Sequence, residues 1–131
     1  MMNWNGWTLD RVLILFIGAA FLLLWVQVTM YHYRQNFHNK AMYAPVVTAP
    51  LLSATAVWLA FYNAAWLATA FAVISAIGLL VGLTGVYFHA KGVGVRVGGY
   101  ELRNFLIGPP VILPMMFSAL SALGLIALYW S

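Results

Sequence analysis

The stretch "PVVTAPLLSATAVWLAFYNAAWLATAFAVISAIGLLVGLTGVYF", residues 45–88, is apolar almost without a break. A helix that crosses a membrane needs about 20 apolar residues, so this run is roughly twice the length of one crossing and must turn. Tyr62 and Asn63 are the best candidates for the turn, which predicts spans at residues 46–62 and 64–88. On either side of this stretch, residues 12–33 and 105–130 form two more apolar runs of spanning length.

The predicted fold is all-α: residues 1–131 form a single domain, an integral membrane four-helix bundle. The composition agrees, because 65% of the residues are hydrophobic and only 6% are charged, whereas a soluble globular chain is roughly 25% charged. The net charge of +4 lies on residues scattered between apolar runs, which favours membrane orientation over nucleic-acid binding. The absence of cysteine excludes disulfides, thiolate metal sites and iron–sulfur clusters.

The basic residues are distributed unevenly between the predicted loops. Five of the six follow the first or the third span: Arg34, Lys40, Lys91, Arg96 and Arg103. Only Arg11 lies at the other end, before the first span. Because basic residues concentrate in cytoplasmic loops, we expect the ends of the first and third spans to be cytoplasmic. Both termini would then lie on the non-cytoplasmic side.

All three histidines fall at the end of the bundle that carries the basic residues. His32 and His38 lie in "YHYRQNFHNK", residues 31–40, and His89 closes the third span in "VYFHAKG". The first and third spans run in the same direction, so His32 and His89 are expected at the same level. On a straight helix His32 and His38 point about 120° apart, so these two meet only if the chain turns between them.

This grouping suggests a binding site, although its ligand stays open. A histidine from each of two neighbouring helices can hold a haem axially, and the same arrangement suits a hydrogen bond to a quinone. The residues predicted to bind such a cofactor are His32, His38, His89, Arg34, Asn36 and Asn104. The three histidines with Glu101 would instead suit a transition metal such as iron, zinc or copper. The alternative is that each histidine only faces water and lipid head groups.

Prolines interrupt the start of the fourth span. Pro109, Pro110 and Pro114 each remove a backbone donor and free a carbonyl of the preceding turn. Either the helix begins with a kink or a short re-entrant segment, or the break lines a cavity beneath the loops. The glycine-rich stretch before it, residues 91–104, lacks the phosphate-loop pattern and predicts a short hairpin at the membrane interface.

Small residues form a stripe along the third span: Ser75, Gly78, Gly82 and Gly85. The fourth span carries a similar pair, Ser118 and Ala122. Such stripes let helix backbones approach closely. The partner would be another helix of the same bundle or, alternatively, another subunit or a flat cofactor.

Four short patterns resemble a group of uncharacterised small bacterial four-helix integral membrane proteins: "NFHNK" after the first span, "YFH" closing the third, "GG" in the next loop, and "GPP" with a later proline opening the fourth. The resemblance covers most of the chain. It implies a bacterial inner membrane location with the cytoplasmic face as the working surface, and no particular activity.

A second, weaker resemblance is to the four-helix membrane proteins of eicosanoid and glutathione metabolism, and "YRQNFHNK" carries it. That family's motif has an acid a few residues beyond the asparagine. This chain departs from the motif there, with Ala41, Met42 and Tyr43.

From these features we expect a small subunit of a membrane oxidoreductase or other energy-converting complex. It would serve electron transport by anchoring partner subunits and binding a haem, metal or quinone near the histidines. Its expected partners are membrane lipid and other membrane-protein subunits or further copies of itself. The alternatives are a stand-alone homo-oligomeric enzyme acting on a lipophilic substrate at the cytoplasmic face, and a purely structural membrane bundle. Proton-coupled transport ranks lower, since no acid lies within any predicted span.

Overall fold

The computed structural model describes residues 4–130, and every regular element in that range is helical. The elements in chain order are α1 (Leu9–Arg34), a 3-10 turn (Lys40–Met42), α2 (Tyr43–Phe61), α3 (Ala65–Arg96), α4 (Leu102–Ile107) and α5 (Ile112–Tyr129). Helices α1, α2, α3 and α5 are long and apolar enough to cross a membrane. The prediction of an all-α chain with four helices of spanning length is therefore confirmed.

The four long helices form a closed ring in which each packs against two others, in the order α1, α2, α3, α5 and back to α1. The short connection between α2 and α3 makes these helices antiparallel neighbours. Ile17, Phe21 and Phe71 are fully buried at the centre of the bundle. The outer surface is apolar as well, since Leu23 is 72% exposed and Leu83 is 54% exposed. Such a surface suits lipid rather than water.

Helix α3 is longer than the predicted span. The chain turns at Tyr62 and Asn63, where the sequence places the turn, but α3 then continues to Arg96 instead of ending at residue 88. The hairpin predicted for residues 91–104 is therefore wrong. The glycines of this stretch allow close packing: a methyl group at Gly92 would lie 3.0 Å from Cγ of Pro109, and one at Gly94 would overlap the Tyr100 ring.

The predicted fourth span, residues 105–130, is divided into α4 and α5 by a break at residues 108–111. In an unbroken helix the carbonyl of residue 110 would accept a hydrogen bond from the N–H of residue 114. Residue 114 is proline and has no N–H, so the carbonyl of Pro110 needs another donor. The break thus places a free backbone acceptor inside the bundle.

The small-residue stripe of α3 packs against α5. Gly78, Gly82 and Gly85 face Ser121, Ser118 and Pro114, respectively. A methyl group at Gly82 would lie 2.6 Å from the backbone nitrogen of Ser118 and 2.8 Å from the carbonyl oxygen of Pro114. The Ser118 hydroxyl also donates to the carbonyl of Leu79 at 2.8 Å. The stripe therefore packs against another helix of the same bundle, which is the first of the two partners that the sequence left open.

The opposite end of the bundle is closed by the N-terminal segment. Trp4 Nε1 donates to the carbonyl of Leu59 at 2.7 Å, and Arg11 Nε donates to the carbonyl of Ala60 at 2.7 Å. Both carbonyls belong to the last turn of α2, which has no helical donors for them. The Arg11 guanidinium also stacks 3.7 Å from the centre of the Trp7 ring. Arg11 thus has a structural role at this end.

We predict that Gly82→Ala destabilises the protein. The added methyl group meets two backbone atoms of α5 that no side-chain rotation can move, so the free energy of unfolding should fall by about 1–3 kcal/mol. Reversible denaturation in lipid–detergent micelles measures it. Leu83→Ala is the matched control on the exposed face and should change stability by no more than about 0.5 kcal/mol. Unchanged stability in Gly82→Ala would contradict the close approach of α3 and α5.

Candidate functional site

A cavity of about 330 Å³ opens between α1, α2, α3 and α5 at the end of the bundle that carries the histidines. Part of its wall is apolar: Leu24, Val28, Leu80, Val81 and Phe117. Polar side chains also line it: Tyr31, His32, Gln35, His38, Asn39, Thr84, His89 and Arg96. Leu24 and Leu80 precede the histidines of their helices by two or more turns, so the apolar part lies deeper in the bundle.

His32 is fixed at the end of α1. Its side chain is buried, and its Nδ1 lies 2.8 Å from the carbonyl oxygen of Met42. Helix α1 ends two residues later, because Asn36 and Phe37 adopt left-handed backbone conformations with φ of 58° and 45°. The Phe37 ring then stacks on Tyr43, with centres 4.5 Å apart, and meets the His32 ring edge-on at 6.1 Å. The loop after α1 therefore holds the imidazole from two sides.

His89 is fixed in the same manner on α3. It is half-buried, and its Nδ1 lies 2.7 Å from the carbonyl oxygen of Pro110. This is the carbonyl that Pro114 leaves without an amide partner. His89 thus satisfies the backbone acceptor that the break between α4 and α5 exposes, as a buried carbonyl in lipid requires.

The two hydrogen bonds define which nitrogen of each ring carries the proton. A carbonyl oxygen can only accept, so Nδ1 donates in both His32 and His89. In a neutral imidazole the other nitrogen, Nε2, then has a free lone pair. Within residues 4–130, no hydrogen bond reaches Nε2 of either ring. Both histidines line the cavity, so each brings to its wall a ring with one unbonded nitrogen, which can accept a proton, a hydroxyl donor or a metal ion.

The mouth of the cavity is polar and positively charged. Arg96 Nη2 lies 3.3 Å from Nε2 of His38, and since arginine only donates, His38 accepts this bond. The contact joins the loop after α1 to the end of α3. Arg96 has no carboxylate partner, because the one ion pair in the described part of the chain joins Arg103 to Glu101 at 3.1 Å.

The structure brings together only part of the predicted site. The three histidines line one cavity, and His38 reaches it because the chain turns after Gln35. The other predicted cofactor-binding residues, Arg34, Asn36 and Asn104, do not line it. Asn104 instead donates to the carbonyl of Gly99 at 3.0 Å.

The predicted metal set does not form one cluster. Glu101 is exposed and paired with Arg103, away from the residues that line the cavity. From residue 4 to residue 130, no three histidine or carboxylate side chains lie close enough together to hold a metal ion. The structure therefore leaves the pair His32 and His89 as the centre of the candidate site.

Arg96, Gln35 and Asn39 line the cavity although the predicted cofactor-binding set omits them. Arg96 was missed because the third span was expected to end at residue 88. The useful signal is the spacing: Arg96 follows His89 by seven residues, which is about two helical turns and so the same helix face.

In comparisons with known proteins, no protein-family model, no curated protein and no solved structure matches this chain. The two resemblances drawn from short patterns therefore stay predictions.

We predict that His32 and His89 carry their proton on Nδ1 and not on Nε2. NMR of protein labelled on the histidine ring nitrogens, at near-neutral pH, distinguishes the two tautomers. Spectra of His32→Asn and His89→Asn assign the signals, and the exposed His38 provides an internal comparison. Protonation on Nε2 alone in both rings would contradict the hydrogen bonds to Met42 and Pro110.

Proposed function

We propose that the protein is a small membrane subunit that binds a quinol-type molecule between His32 and His89, as part of an oxidoreductase or other energy-converting complex. The observation that carries the proposal is the pair of free Nε2 atoms in a cavity whose deeper wall is apolar. A quinol has an apolar body and tail with a hydroxyl on each of two opposite ring edges. That distribution of polarity matches the cavity.

The size of the cavity favours a single-ring head group over a haem. Small-ligand sites enclose about 300–1,000 Å³, and the volume here, about 330 Å³, is at the lower end of that range. The wall that would contact the apolar part of the ligand includes Leu24, Leu80 and Phe117. A longer tail would extend between the helices into lipid.

A metal ion fits the described residues less well than a quinol. Catalytic zinc sites use three protein ligands, whereas the cavity supplies two histidines with free nitrogens and no carboxylate. Glu101, the acid predicted to complete the set, is paired with Arg103. Among haem, metal and quinone, the geometry therefore supports the quinone class best.

The role in a complex follows from the chemistry of a quinol. Its oxidation releases two protons and two electrons. The Nε2 atoms of His32 and His89 would accept hydrogen bonds from the two hydroxyls, and each ring would hold a released proton only in passing. The electrons would pass to a redox centre in a partner subunit, since this chain has no cysteine to hold an iron–sulfur cluster. We place the cavity mouth at the cytoplasmic face of a bacterial inner membrane, because five of the six basic residues lie at that end.

One observation favours a second candidate, a stand-alone membrane enzyme that acts on a lipophilic substrate. All four long helices of this chain contribute residues to the cavity wall. Turnover of a lipophilic hydroxyl compound by the purified protein without other subunits would favour this candidate over the subunit.

We predict that His32→Asn and His89→Asn each weaken the binding of decylhydroquinone about tenfold or more. The asparagine amide nitrogen takes the position of Nδ1 and can still donate to Met42 or Pro110, but nothing replaces Nε2. A lost hydrogen bond in a buried site costs about 1–3 kcal/mol, and 1.4 kcal/mol is tenfold in affinity. Equilibrium binding to the reconstituted protein measures the effect.

The matched control is His38→Asn, which changes an exposed histidine at the cavity mouth. Its affinity should stay within about threefold of the unmodified protein, less than 1 kcal/mol. Thermal unfolding of all three variants tests whether the bundle stays intact. Unchanged affinity in both His32→Asn and His89→Asn, with intact bundles, would contradict the proposal.

A further inference from the structure

We infer that the site selects the reduced form of its ligand: it binds a dihydroxy compound in preference to the corresponding quinone. The inference is based on the proposed function and adds the hydrogen-bonding character that the ligand must have. It follows from the two backbone carbonyls that hold the histidines, and not from the presence of histidine alone.

The first step is the direction of the hydrogen bonds. The carbonyls of Met42 and Pro110 accept from Nδ1 of His32 and His89 at 2.8 Å and 2.7 Å, respectively. Each ring therefore uses a proton on the side that faces the backbone. At Nε2, the other ring nitrogen, a neutral imidazole can only accept a hydrogen bond.

The second step is the charge of the two rings. The other ionisable side chains that line the cavity are Tyr31, His38 and Arg96, and no carboxylate lines it within the described chain. A proton added to Nε2 of His32 or His89 would place a second positive charge near Arg96, beside an apolar wall and without a counter-charge. Such a charge is costly, so the neutral rings are favoured.

The quinol and the quinone form of the ligand differ in the hydrogen bond that they can make with Nε2. A quinol hydroxyl donates a hydrogen bond to Nε2. A quinone carbonyl oxygen has no proton to donate, so its lone pair faces the lone pair of Nε2, and both atoms are left without a hydrogen bond. The wall also holds other donors: the Thr84 hydroxyl is bound to the carbonyl of Leu80 at 2.9 Å, whereas that of Tyr31 is not engaged within the described chain. The preference therefore depends on the ligand oxygens facing Nε2 of the two histidines. At the mouth, Arg96 donates to His38. The two forms differ little in shape, so hydrogen bonding decides between them.

The experiment measures the equilibrium affinity of the full chain in lipid nanodiscs, without oxygen, for three probes: decylhydroquinone, decylbenzoquinone and the dimethyl ether of decylhydroquinone. The ether keeps the ring and tail but has no donor and no redox chemistry. We expect decylhydroquinone to bind about tenfold tighter, or more, than either of the other two, which corresponds to one buried hydrogen bond.

Two variants locate the source of the preference. In the double variant His32→Gln with His89→Gln, each amide offers both a donor and an acceptor, so the preference should fall below about threefold while binding persists. Leu83→Ala, on the exposed outer face of α3 and outside the cavity wall, should keep the full preference. If the double variant keeps it as well, the two histidines are not the acceptors and the inference is overturned.

The result with the unmodified protein separates this inference from the proposed function. Equal affinity for all three probes, or tighter binding of decylbenzoquinone, overturns the selection of the reduced form and leaves quinone-type binding in place. Binding of none of the probes overturns the proposed function and the inference with it.

Discussion

One backbone carbonyl, that of Pro110, accounts for much of the architecture around the candidate site. An α-helix would satisfy it with the amide of residue 114, but that residue is Pro114. Lipid offers no hydrogen-bond donor, so a carbonyl at this depth needs a partner from the protein or from the cavity. His89 donates to it from α3 at 2.7 Å. This single interaction joins α3 to the break before α5 and fixes the orientation of an imidazole ring.

The same interaction connects structural stability with a possible activity. A histidine that only filled a space in the bundle would need no particular tautomer, whereas His32 and His89 both have Nδ1 bound to a carbonyl. The arrangement parallels that of metal-binding histidines, in which the hydrogen bond of one ring nitrogen sets the reactivity of the other. Here both free nitrogens belong to residues that line a partly apolar cavity. A structural role for Nδ1 and a binding role for Nε2 are therefore compatible within one side chain.

The sequence predicts those features that depend on composition and local spacing. Residues 45–88 are too long and too apolar for one crossing, and the chain indeed turns at Tyr62 and Asn63. The spacing of Gly78 and Gly82 predicts a close helix approach, which α5 provides. The gathering of the histidines at one end also follows from the order of spans and loops.

Features that depend on particular packing contacts or on single backbone turns could not be predicted in this way. Gly92 and Gly94 resemble a loop, but α3 continues through them because Pro109 and Tyr100 pack against their bare backbone. His38 joins the cavity only through the left-handed turn at Asn36, which no helical pattern reveals. For the same reason the predicted site included residues such as Asn104, which bonds the loop backbone instead.

We propose that the histidine-lined cavity holds a lipophilic molecule with a polar head. Native mass spectrometry of the protein, extracted gently from its own membranes, tests this claim most directly. We expect a bound mass that fits a quinone or quinol and that is lost in the double variant His32→Asn with His89→Asn. A protein that carries no small molecule under conditions that preserve bound lipid, or the same bound mass in that variant, would contradict it.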